Sequence, residues 1–184
     1  MNKVCAIAHP SRIASFLATT VLLAFASAAG AQPAPPKPGS PPADRLRRAL
    51  LCEGEPLETV RSLATAREPG LTAKTTGEEE DETIVLTLQK EMVIEGARTS
   101  VVTMSFASPR EDFLGLVFAE MTGDPAPLIK AFGLKKAARG AELPIGQYVK
   151  SVPGAEPNEV CPKTIALTPL GSGRFLFGCG WCNG

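Results

Sequence analysis

Apolar and polar residues alternate most cleanly in two neighbouring stretches. Ile84, Leu86 and Leu88 alternate with Val85, Thr87 and Gln89, and Val102, Met104 and Phe106 alternate with Val101, Thr103 and Ser105. A period of two argues for strands, and the short segment around Gly96 makes them a hairpin. A two-residue Glu95-Gly96 turn would put Leu88 opposite Thr103 and leave the two apolar sets on opposite faces. A three-residue loop Ile94-Glu95-Gly96, with Gly96 left-handed, restores the phase. It predicts that Leu88 faces Val102, Leu86 faces Met104 and Ile84 faces Phe106.

A second hairpin lies near the C-terminus, where two apolar runs flank Gly171-Ser172-Gly173. With those three residues as the loop, Leu167 faces Phe177 and Ile165 faces Cys179. Cys179 then shares the apolar face of Phe175 and Phe177.

Helical spacing shows in three places. Leu46, Leu50 and Leu51 mark a helix over residues 45–52, capped by Asp44. Pro56 suits the first turn of a second helix over residues 56–67, with Leu57, Val60, Leu63 and Ala64 as its buried stripe and Pro69-Gly70 as its stop. Asp124-Pro125 caps a third, which runs to Phe132 and closes at Gly133. Lys135, Lys136 and Arg139 follow its C-terminal end, where positive charge is favourable.

Residues 71–76 read as an edge strand and residues 147–152 as another short strand, before a Pro/Gly-rich loop over 151–162. Ser108-Pro109-Arg110-Glu111 has the form of a helix start, yet Leu114-Gly115-Leu116-Val117-Phe118 has strand composition and a glycine that a helix resists. The reading is a turn at 108–112 and a strand Phe113–Thr122. Together these elements predict an α+β fold: an antiparallel sheet of about five to six strands, with two or three helices packed on one face.

The first residues change the picture of where the chain works. Lys3 and Arg12 precede an apolar, small-residue segment from Ile13 to Ala29, and Ala29-Gly30-Ala31 fits a small-x-small cleavage site. Residues 1–31 are therefore expected to be a cleaved signal peptide, residues 32–43 a proline-rich tether and residues 44–184 a single domain. The expected location is the periplasm or the medium, with no stable membrane insertion after cleavage. Cleavage removes two of the 19 basic residues and none of the 19 acidic ones, leaving a slight acidic excess. That argues against a nucleic-acid partner, which needs a basic face.

Cleavage also removes the sole histidine, His9. A mature chain without histidine has no Ser-His-Asp or Cys-His group and no histidine-ligated zinc site. The run Glu78-Glu79-Glu80-Asp81-Glu82 lacks the spacing of a calcium loop and reads as a solvated hairpin loop. Arg45, Arg47 and Arg48 read as a solvated helix face in preference to an anion site. No metal and no cofactor is expected.

Four cysteines remain after cleavage: Cys52, Cys161, Cys179 and Cys182. Cys179-Gly180-Trp181-Cys182 has redox spacing, but only two residues follow it, so it cannot open a helix as a thioredoxin-type site does. An oxidising compartment favours structural bridges. Parity points Cys179 into the core toward Cys52, at the end of a helix whose leucines also seek that core. Cys182, of opposite parity, lies beside Cys161. The expected bridges are Cys52–Cys179 and Cys161–Cys182. The functional expectation is an exported, non-enzymatic module that binds a protein or small ligand. The alternative is a thiol-disulfide oxidoreductase working through Cys179 and Cys182; a carboxylate-based hydrolase ranks behind both.

Overall fold

The computed structural model describes residues 40–78, 81–107, 113–137, 146–152 and 162–183. The chain divides into Met1–Gly30 and Ala31–Gly184, and every described residue belongs to the second unit. The expected signal peptide, most of the tether, the turn at 108–112, Cys161 and most of the loop at 151–162 lie outside the described residues.

Two helices come first, α1 (Pro42–Leu50) and α2 (Pro56–Ala66), followed by four strands: β1 (Leu71–Glu78), β2 (Asp81–Ile94), β3 (Ala97–Ala107) and β4 (Phe113–Thr122). A third helix, α3 (Ala126–Phe132), precedes another four: β5 (Lys135–Lys136), β6 (Tyr148–Ser151), β7 (Thr164–Gly171) and β8 (Arg174–Asn183). The eight strands form one antiparallel sheet in the order β1-β2-β3-β4-β8-β7-β6-β5. Each half is thus helix followed by a four-stranded meander, and the last strands of the two meanders pair at the centre.

Eight strands replace the expected five to six. The strand with no counterpart in the sequence reading is β5, which has two residues at the far edge; its neighbour β6, Tyr148–Ser151, is the short strand expected at 147–152. A two-residue strand shows no measurable period in a sequence. The lysines of β5 were legible only as charges after a helix.

The helix starts and stops follow local rules. Pro42 occupies the first turn of α1, so the helix begins before Asp44, which sits inside the first turn in place of capping it. At the other end Cys52 takes the left-handed conformation, with φ 58°. Its amide donates to the Ala49 carbonyl and that of Glu53 donates to Arg48, which ends the helix. Asp124 accepts from the Ala126 amide at 2.9 Å and starts α3, and left-handed Gly133 closes it.

One face of the sheet carries the core. Rows of directly paired residues run across it: Leu86, Val102, Ala119, Phe177 and Leu167 form one, and Ile84, Met104, Val117, Cys179 and Ile165 another. All ten are buried. Leu46, Ala49 and Leu50 of α1 and Val60 and Leu63 of α2 belong to the same core. The ring of Phe132, at the end of α3, stacks on Phe177 with centroids 5.8 Å apart. Arg61 of α2 pairs with Glu82 at 2.8 Å and lies over the Phe106 ring, which ties that helix to β2 and β3.

The β2–β3 hairpin departs from the expected register. Ile94 pairs with Ala97 around a two-residue Glu95-Gly96 turn, with φ 49° and 85°. Both residues are left-handed, the conformation whose twist suits a tight hairpin. The phase is corrected inside the strands, by an irregularity between Thr87 and Met92. Leu88 therefore does not face Val102; Leu86 does, and Ile84 faces Met104. The buried Thr99 hydroxyl stabilises this kink, accepting from the Val101 amide at 3.1 Å and donating to its carbonyl at 2.9 Å. In the β7–β8 hairpin the turn is Ser172-Gly173, closed by Gly171 and Arg174, with an irregularity after Pro169. The expected pairs Leu167–Phe177 and Ile165–Cys179 are both present.

Candidate functional site

The cysteines divide between structure and position. Cys52 is bonded to Cys179, with Cα atoms 5.1 Å apart and a sequence separation of 127. Cys179 is fully buried in the core and Cys52 nearly so. This is the pair that strand parity selects. The backbone of Cys182 lies in β8 opposite Leu114, while Cys161 lies outside the described residues, and with it the expected Cys161–Cys182 bridge. The Cys-Gly-Trp-Cys segment runs along a strand throughout, with its first sulfur already bonded to Cys52, just past the end of α1.

The charged helix residues are mostly engaged within the molecule. Arg45 is paired with Glu68 and donates to Ser62, and Arg48 pairs with Glu53 at 3.1 Å. Lys163 of the β7 approach donates to the Gly54 carbonyl and to Glu55, fixing the α1–α2 connection. Among the described residues no group of three or more histidine, cysteine and acidic side chains is placed to hold a metal ion. Among the same residues no helix is long and apolar enough to cross a membrane.

The sheet face opposite the core has a distinctive composition. One row of directly paired residues crosses all eight strands: Lys74, Val85, Thr103, Phe118, Gly178, Ala166, Val149 and Lys135. At about 4.8 Å between strands, the row is roughly 34 Å long. Its interior is apolar or small, and a lysine stands at each end. Leu116 and Leu176 flank Phe118 on the same face, each two residues or one diagonal step away.

Backbone geometry explains the floor of this row. A Cβ placed on Gly178 would come within 2.1 Å of the Val117 carbonyl oxygen and 2.9 Å of the Phe118 Cβ. Only glycine admits the close approach of β4 to β8 there, and Phe118 stands directly against it. Ala166 is buried, Phe118, Leu116 and Leu176 are half-buried, and Val101 at the margin is 37% exposed. Arg174 and Glu120 border the patch. The Arg174 Nε donates to Glu120 at 2.5 Å, and this bond holds the exposed carboxyl below its ordinary pKa.

Sequence reasoning did not find this row. The signal was present: Leu114-Gly115-Leu116-Val117-Phe118 is apolar without alternation, the mark of a strand with apolar residues on both faces. It served to identify a strand and no further. No family model, curated protein or solved structure matches this chain.

Proposed function

We propose that this protein is an exported, non-catalytic binding module that receives the apolar surface of a partner protein on the outer face of its sheet. The observation that carries this reading is the row from Lys74 to Lys135, with half-buried Phe118, Leu116 and Leu176 near its centre. Apolar residues at the centre of a patch and charge at its rim are the usual anatomy of a protein-binding surface. The terminal lysines favour a partner with acidic groups flanking its apolar segment. Export rests on the basic and then apolar sequence of residues 1–31 and their cleavage site, and places the mature chain in the periplasm or medium.

A photo-crosslinking amino acid at position 118, compared with one at exposed Arg47 on α1, tests the docking face in the exporting cell. A discrete adduct from position 118, without the same adduct from position 47, is the expected result. No adduct from position 118, or identical adducts from both, would overturn it.

A further inference from the structure

The two ends of the sheet differ in charge. At the β1–β2 end, Glu78 and Asp81 are exposed and face each other in the ladder, and Lys74 is the one cation of β1. At the β5–β6 end the charge is positive. Val149 faces Lys135 and Tyr148 faces Lys136, so Lys150, next along β6, has its Cα within about 8 Å of both by strand geometry. α3 leads directly into β5: the Gly133 amide donates to the Lys130 carbonyl and the Leu134 amide to that of Ile129, which keeps Lys130 beside the start of the strand. All four lysines are exposed. Among the described residues none of the four forms an ion pair, in contrast with Arg45, Arg48, Arg61, Lys163 and Arg174. The one acid described between positions 124 and 152 is Asp124, which is engaged at the start of α3. A lysine on a terminal strand guards its edge, but one suffices for that. Cations gathered this closely, against a screening length of about 8 Å, repel one another until an anion lies among them.

Resting on the docking-face reading above, we propose that this corner takes an acidic segment of the partner protein. The partner then crosses the sheet in one direction, with its acidic end over β5 and β6. Lys135 belongs both to the outer-face row and to the corner, so a segment lying along the row runs onto the other lysines. At the opposite end Glu78 and Asp81 repel the same segment. Charge at the rim of an interface steers encounter and fixes orientation in this way. The same charges disfavour a second copy of this chain as the occupant. With two outer rows aligned face to face, Lys74 would meet Lys135 in one sense, and each lysine its own equivalent in the other.

The photo-crosslinking amino acid at position 118 reads the docking, and the charge of the corner is the variable. The tagged protein is mixed with an extract of its own compartment at low and at physiological salt. Lys135→Glu/Lys150→Glu is expected to lower the yield of the position-118 adduct about tenfold at low salt, while Arg47→Glu on α1 leaves it unchanged. Added salt is expected to lower the yield from the parent and to leave that of the double variant little altered. Melting curves check that both variants fold. A folded double variant with an undiminished adduct, or a parent adduct indifferent to salt, would overturn the proposal and leave the docking face standing. An adduct with twice the mass of this chain would make a second copy the occupant and overturn the acidic segment. No adduct from position 118 in the parent would overturn the docking face and this proposal together.

Discussion

Cys52 sits in the left-handed position that ends α1, and its sulfur is bonded to Cys179 in the middle of β8. Glycine is the usual occupant of that position, because a Cβ is strained there. The bond and the backbone therefore act in opposite directions at one residue. The bond restricts the unfolded chain across most of the domain, and the left-handed cysteine costs some of that stabilisation back.

This opposition predicts an order of stabilities. Cys52→Ala loses the restraint of a long loop, roughly 4–5 kcal/mol on the chain-entropy model. Cys52→Gly loses the same restraint and relieves the left-handed strain, about 1 kcal/mol. The glycine variant should therefore unfold at higher denaturant than the alanine variant, with both below the parent. An alanine variant as stable as the glycine variant would mean that the end of α1 is not left-handed at Cys52.

Gly115 lies against the indole of Trp181, its directly paired neighbour on β8. A Cβ at Gly115 would come within 2.2 Å of the ring. Gly115→Ala should cost about 1–3 kcal/mol through overpacking, and Trp181→Leu in the same chain should recover much of it. The chain has one tryptophan, so its emission reports the displacement directly. An alanine variant with unchanged stability and unchanged emission would contradict this packing.

The Glu95-Gly96 turn gives a prediction in which both residues matter. Since both have positive φ, Glu95→Val and Gly96→Val should each destabilise by about 1–2 kcal/mol. Glu95→Asn should be neutral or slightly stabilising, because asparagine tolerates this conformation. Thermal melting of the three variants suffices. A silent Glu95→Val would favour the three-residue loop that hydrophobic alternation alone suggests.

That hairpin shows where sequence pattern stops. In β7–β8 the alternation runs unbroken from Leu167 and Phe177 to Ile165 and Cys179, so register and the buried partner of Cys52 both follow from parity. In β2–β3 the apolar sets also had to be brought into phase, and the pattern located the correction in the loop. The molecule makes it within the strands, where Thr99 supplies its hydroxyl to the Val101 backbone. A threonine among alternating residues carries no mark of that role. The helices were legible from their leucine stripes, and β4 from its composition. The outer-face row was not, because it is assembled from single residues of eight strands, and only the register brings Val85, Phe118, Gly178 and Ala166 into line.

The outer face is tested most directly by comparing partner capture between the parent protein and the variant Phe118→Thr/Leu176→Thr. Both changes keep β-forming residues on the strand surface, and melting curves confirm that the fold survives. Central apolar anchors of an interface contribute about 2 kcal/mol or more each. The variant should therefore lose at least about thirtyfold in affinity for whatever the parent retains from its own compartment. Undiminished capture by a folded variant would contradict the assignment of this face as the binding surface.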